Sequence, residues 1–142
     1  MLNGVISRKL SVLDEVLNEL EGLRPLEIAR FQAEWTVQRA VERDLQILSE
    51  TVVDVCQRLL SLLGESPATS GVEAVRRCKA IGALSDRAAY LKIVQIRNVI
   101  MHRYDQEDPS ILTTVVNEQL DEYRAFRQDI LSFIASREEP DE

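Results

Sequence analysis

Apolar positions recur every three or four residues along most of the chain, and this spacing places side chains on one face of an α-helix. Between residues 5 and 21 the pattern is carried by Leu13, Leu17 and Leu20. Between residues 26 and 63 it continues for about ten turns, at 3.6 residues a turn. A helix of that length is typical of the long central helix of a bundle.

Glycine and proline divide the chain into five segments, because they interrupt regular helix. The segments cover residues 5–21, 26–63, 72–81, 85–104 and 110–136. Ser85 is a candidate N-cap for the fourth segment, and Asp108 followed by Pro109 suits the start of the fifth. The β-branched run at 111–116 is interpreted as helix, because an isolated strand has no partner. The sequence predicts an all-α, antiparallel bundle of about five helices with one long central helix.

Length and composition predict a single domain covering residues 1–142, with a frayed acidic tail from about residue 137. Apolar residues make up 45% and charged residues 29%, which is ordinary for a globular protein. The N-terminal segment contains charged residues too early for a signal peptide, and no apolar run reaches the roughly 18 residues needed to cross a bilayer. A cytoplasmic protein without membrane association is predicted.

The residue types that usually bind metals and cofactors are scarce. Cys56 and Cys78 are far apart in sequence and His102 is the only histidine, so no metal site of paired cysteines and histidines is expected. Glycine-rich phosphate loops are also missing from the sequence. We therefore predict that the protein uses no metal and no cofactor.

Polar residues in the apolar second half of the fourth segment are the most informative feature of the sequence. Arg97, Asn98, His102 and Tyr104 lie among isoleucine, valine and methionine side chains. Asn98 and His102 share one helical face, and Arg97 and Tyr104 share another. On a straight helix Arg97 and His102 are about 140° apart, so they converge only through a distorted helix, a long reach by Arg97 or a second chain.

Each of these residues also has a structural interpretation. Arg97 could form a salt bridge with Glu50 or Asp54 on a neighbouring helix. His102 and Asn98 could be hydrogen-bonded core or interface residues. Tyr104 could anchor the helix end with its hydroxyl in water.

The segment RNVIMHRYD at 97–105 resembles the R-N-x-x-x-H-x-Y signature of HepT-like proteins in the HEPN superfamily. Residues 34–60 are similar to the long helix of that family, and the polar loop, the short basic helix and the last helix follow in the family's order. The resemblance extends over about residues 5–136. Every signature residue is present.

This resemblance implies a toxin of a toxin–antitoxin pair that acts as a metal-independent endoribonuclease and a homodimer. It implies Arg97 and His102 as the catalytic pair, with Asn98 supporting the site. The implied partner is an MNT-type minimal nucleotidyltransferase, which acts as the antitoxin. That enzyme silences the toxin by transferring AMP to the signature tyrosine, here Tyr104.

The residue chemistry is compatible with RNA cleavage. RNA carries an internal nucleophile, the 2′-hydroxyl. A histidine with an unperturbed pKa near 6.5 can remove its proton, and an arginine can stabilise the charge on the phosphate. The reaction requires an acid as well as a base, and a two-fold dimer would supply a second histidine.

Two other classes of function remain open at this point. The chain could be a helical partner of a nucleotidyltransferase that binds nucleotide or presents a substrate without cleaving anything. It could also be a purely structural helical dimer.

The negative net charge of the chain does not exclude nucleic-acid binding, because the charge is unevenly distributed along the sequence. The chain has 17 basic and 24 acidic residues, a net charge of −7, yet residues 76–104 carry a net charge of +6. Such a stretch favours local RNA binding, with Arg76, Arg77, Lys79 and Arg103 as candidates beside the signature. Alternatively, these residues pair with carboxylates on neighbouring helices.

Overall fold

The computed structural model describes residues 4–101 and 108–138, and every regular element in those ranges is an α-helix. Seven helices are present in this described part of the chain. They are α1 (Gly4–Glu21), α2 (Ile28–Ala33), α3 (Trp35–Leu62), α4 (Gly71–Ala80), α5 (Ala89–Met101), α6 (Ser110–Glu118) and α7 (Leu120–Glu138). The predicted all-α bundle is confirmed, with the 28-residue α3 as its longest helix.

Two predicted helices are each divided by a single non-helical residue. Glu34 adopts an extended backbone (φ −106°, ψ 97°) between α2 and α3. Gln119 adopts φ −121° and ψ 7° between α6 and α7. Neither position is a glycine or a proline, and the spacing of apolar residues shows no interruption at either one. The sequence therefore contains no sign of these breaks. The β-branched run at 111–116 is helical, as predicted.

The core is organised around α3, which packs against α1, α2, α4 and α5. Every turn of its buried surface carries at least one apolar side chain, and this wide apolar surface is covered by the four neighbouring helices. The fully buried apolar residues of α3 are Val41, Leu45, Leu48, Val52, Val55, Cys56, Leu59 and Leu60. α7 completes the bundle by contacting α1, α5 and α6.

Side-chain hydrogen bonds attach two loops to the bundle. Asn117 of α6 bonds both backbone groups of Leu26, accepting from its N–H at 2.8 Å and donating to its C=O at 2.9 Å. The carboxylate of Asp129 accepts from the Ser85 hydroxyl at 2.7 Å and from the Tyr90 hydroxyl at 2.6 Å. Ser85 therefore binds α7, and α5 begins only at Ala89. The predicted role of Ser85 as N-cap was wrong.

Within the described ranges, none of the helices is both long enough and apolar enough to cross a membrane.

A carboxyl pair between α1 and α3 predicts a dependence of stability on pH. Burial, a hydrogen bond to Glu19 and repulsion by its charge raise the pKa of Asp44 to about 7, against a smaller opposing effect of Arg43. A raised folded-state pKa means that the folded protein holds a proton that the unfolded chain releases above about pH 4. This pair should therefore lower stability progressively from about pH 4 to pH 7.

Asp44→Asn should remove that loss. We expect the variant to unfold at a higher temperature than the wild type at pH 8 and at nearly the same temperature at pH 4, measured by circular dichroism. Glu118→Gln, which removes an exposed carboxylate of α6, serves as the control and should leave the pH profile unchanged. A difference in unfolding temperature between Asp44→Asn and the wild type that does not grow from pH 4 to pH 8 would contradict the assignment.

Candidate functional site

The second half of α5 positions the signature residues that the structure describes. Ile93, Ile96 and Ile100 form its buried face, and Arg97 and Asn98 are on the exposed side. The other two signature residues, His102 and Tyr104, lie outside the described residues. Their predicted roles therefore remain predictions.

A cavity of about 400 Å³ opens beside Arg97 and Asn98, between α3, α5 and the start of α4. Both residues line it, although they point about 100° apart around a helix, because the cavity extends across the open side of α5. The lining residues are Ser49, Glu50, Val53, Asp54, Ser70, Gly71, Val72, Val94, Gln95, Arg97 and Asn98.

The carboxylates of this cavity have other partners than Arg97. Asp54 accepts from Lys9 of α1 at 2.9 Å, and Glu50 accepts from the Gln46 side chain at 3.1 Å. Among residues 4–101 and 108–138, no carboxylate oxygen lies within 4.0 Å of the Arg97 guanidinium. The predicted alternative of a salt bridge from Arg97 to Glu50 or Asp54 is therefore wrong.

Two residues that sequence analysis did not identify fix α5 beside this cavity. The buried Ser49 hydroxyl donates to the Ile93 carbonyl at 2.6 Å, one turn before Arg97. Gly71 packs between Val53 of α3 and Val94 of α5, where a Cβ atom would lie 2.9 Å from a methyl carbon of each valine. The sequence offered only weak signals: a serine among apolar residues, and a glycine that was interpreted as a helix break.

A larger cavity of about 520 Å³ lies between α5, α6 and α7. Ile93, Ile96, Val99 and Val115 give it a largely apolar wall. Of the signature residues that the structure describes, neither Arg97 nor Asn98 lines it. We therefore take the smaller cavity as the candidate site.

The predicted basic stretch divides into paired and unpaired residues. Lys79 forms an ion pair with Asp86 at 2.9 Å, and Arg77 lies 4.0 Å from Glu65. Arg76 is exposed and forms no ion pair within the ranges that the structure describes. Arg103 lies outside these ranges. Arg76 is therefore the stronger candidate for contact with a phosphate backbone.

The two cysteines lie in the core, away from the candidate site. Cys56 and Cys78 are free and fully buried, and the Cys78 thiol donates to the Cys56 carbonyl at 3.6 Å. A side-chain hydrogen bond with the Cys78 thiol, together with burial, raises the pKa of the Cys56 thiol, so this group is a poor nucleophile near neutral pH. Within residues 4–101 and 108–138, no three histidine, cysteine, aspartate or glutamate residues are grouped closely enough to bind a metal ion.

The fold is similar to that of solved toxin–antitoxin proteins. The tri-AMPylated Shewanella oneidensis HEPN toxin, solved in complex with MNT antitoxin, matches with a TM-score of 0.83 and 18% identity, over 92% of this chain and 99% of that one. A toxin–antitoxin structure with AMP-PNP matches with a TM-score of 0.82 and 17% identity, over 92% and 99% of the two chains. At these identities the likeness establishes the fold.

Sequence comparison provides the family. A protein from Aphanizomenon flos-aquae named tRNA nuclease HepT is 22% identical over 137 residues, which cover 95% of this chain and 93% of that protein. The family model described as ribonuclease HepT-like matches residues 13–130, which include all four signature residues. From this match over most of its length, together with the shared fold, we conclude that the chain belongs to the ribonuclease HepT-like family.

Proposed function

We propose that this protein is a metal-independent endoribonuclease, acting as the toxin of a HEPN/MNT toxin–antitoxin pair in the cytoplasm, with residues 1–142 as one HepT-like domain. One observation carries the proposal. Arg97 and Asn98 line an open cavity, and the Arg97 guanidinium has no carboxylate partner in the described part of the chain. An exposed, unpaired arginine beside a cavity is suited to binding an RNA phosphate.

The proposed reaction uses the 2′-hydroxyl of RNA as its nucleophile. His102 accepts the hydroxyl proton while the oxygen attacks the adjacent phosphorus. The bond from phosphorus to the 5′-oxygen breaks, and a second imidazole donates a proton to that leaving oxygen. Arg97 stabilises the negative charge that increases on the phosphate during the reaction. A 2′,3′-cyclic phosphate and a free 5′-hydroxyl are the products.

The second imidazole requires a second chain, since His102 is the only histidine in the sequence. We propose a homodimer in which a two-fold axis brings both copies of His102 to one cleft. One copy then acts as the base and the other as the acid. Asn98, next to Arg97, is proposed to support the cleft through its side-chain amide.

The proposed partner is an MNT-type nucleotidyltransferase that transfers AMP to Tyr104. An adenylylated tyrosine two residues from His102 would occlude the site and add negative charge where the substrate phosphate binds. One solved structure of similar fold supports this proposal, because it is described as a tri-AMPylated HEPN toxin in complex with MNT antitoxin.

Incubation of the purified protein with RNA in excess EDTA tests the proposed function. We expect cleavage with 2′,3′-cyclic phosphate ends, and no cleavage when the RNA is replaced by its 2′-deoxy analogue. RNA that is bound but stays intact would overturn the nuclease assignment and favour the alternative of a non-catalytic binding partner.

Arg76, which forms no ion pair with the residues that the structure describes, gives a prediction about RNA binding, measured with a 2′-deoxy analogue that cannot be cleaved. Arg76→Ala should weaken binding and reduce the slope of log affinity against log salt by about one. Lys79→Ala should have a smaller effect, since Asp86 already neutralises that lysine. Arg30→Ala in α2 is the control outside the basic stretch. An unchanged salt slope in Arg76→Ala would remove this residue from the RNA-binding surface.

A further inference from the structure

We propose that Gly71 is a positioning residue, which sets the location of Arg97 and Asn98 by allowing α4 to approach α3 and α5 closely. This inference rests on the proposed ribonuclease function. Gly71 is the first residue of α4 and lines the candidate cavity. A Cβ atom at this position would lie 2.9 Å from Val53 Cγ2 and 2.9 Å from Val94 Cγ1.

Close packing is the reason that a glycine is needed here. Its φ lies outside the left-handed region, unlike the values of 76° at Gly64 and 86° at Gly82. Alanine has a higher helix propensity than glycine, so the backbone alone would favour Gly71→Ala. The obstacle is the pair of valines, because contacts of 2.9 Å between carbon atoms are strongly repulsive and each valine belongs to a different helix.

The consequence falls on α5. Val94 precedes Arg97 by three residues and Asn98 by four, so all three lie within about one turn of the same helix. At the residue before Val94, the Ser49 hydroxyl bonds the Ile93 carbonyl at 2.6 Å and ties α5 to α3. A Cβ atom at residue 71 pushes Val94 while Ser49 restrains the adjacent residue. The helix must therefore shift or rotate at the turn that carries Arg97 and Asn98.

The test compares RNA cleavage kinetics of the full-length wild type, Gly71→Ala and the double variant Gly71→Ala/Val94→Ala. Displacement of a catalytic group by about 1 Å costs on the order of 10²-fold in rate. We expect kcat of Gly71→Ala to fall about 10- to 100-fold while KM changes less than about threefold, because Arg76 and its neighbours still bind the RNA. In the double variant, the shorter residue 94 removes the close contact with α5 and lets α4 move away from Val53 without displacing that helix, so most of the lost kcat should return.

Gly4→Ala is the matched control, since a Cβ at this helical glycine would meet nothing within 4 Å. It should retain wild-type kcat. All assays are run well below the unfolding temperature of each variant, so that lost stability does not reduce the folded fraction. A folded Gly71→Ala with wild-type kcat, or a loss of kcat that Val94→Ala does not recover, would overturn the proposal. A wild type that cleaves no RNA would instead count against the proposed function.

Discussion

Replacing His102 with alanine should abolish RNA cleavage, lowering kcat by about 10³-fold or more. General acid–base catalysis by one positioned side chain contributes about 10²- to 10⁴-fold. In the proposed dimer, one substitution removes both the base and the acid, because each comes from a copy of the same residue. Arg97→Ala should cause a loss of about 10²-fold or more through the missing stabilisation of the phosphate charge. Both effects are measured as kcat from initial cleavage rates at saturating RNA.

Lys92→Ala is the matched control for Arg97→Ala. Lys92 is also an exposed cation of α5, but it lines the larger cavity and not the candidate site. It should retain most of the activity, whereas a loss equal to that of Arg97→Ala would indicate a general effect of positive charge. The far-ultraviolet circular dichroism of each variant should match the wild type. Cleavage that persists in His102→Ala would refute the catalytic role of this residue.

The fold could be predicted to the level of its long helices. Apolar periodicity identified the regions of α1, α3 and α7, since burial of a continuous helical face produces that pattern. The breaks at Glu34 and Gln119 could not be predicted, because each consists of one residue with ordinary side-chain chemistry. Near both breaks, residues contact segments that are distant in the sequence. α2 turns to place Phe31 in the core, and Asn117 of α6 binds the backbone of Leu26.

The candidate site could be predicted in part. The signature in the sequence pointed to Arg97 and Asn98, and the structure places both at one cavity. The surroundings depend on pairs far apart in sequence, which local pattern does not reveal. The ion pair between Lys9 and Asp54 is one example, and the insertion of Gly71 between two valines is another. A glycine beside a polar loop is normally interpreted as a helix boundary, and close packing leaves the same signal in a sequence.

The burial of two of the three tyrosines supports Tyr104 as the residue that receives AMP in the proposed silencing reaction. The chain has three tyrosines, of which Tyr90 and Tyr123 are 0% and 1% exposed. Tyr90 also donates its hydroxyl hydrogen to Asp129 at 2.6 Å. A nucleotidyltransferase must bring the α-phosphate of ATP to the acceptor oxygen, and neither buried hydroxyl can be reached in the folded protein. If the modification is on a tyrosine, Tyr104 is therefore the expected acceptor.

Tyr104→Phe should keep ribonuclease activity and escape silencing. The ring is retained and only the acceptor oxygen is lost, so kcat should stay within about threefold of the wild type, as expected for a residue that makes no contribution in the transition state. Incubation with the cognate nucleotidyltransferase and labelled ATP should modify and inactivate the wild type but leave the variant unlabelled and active. Tyr123→Phe is the matched control, which removes a buried hydroxyl and should still be labelled. Label and loss of activity in Tyr104→Phe would place the modification on another residue.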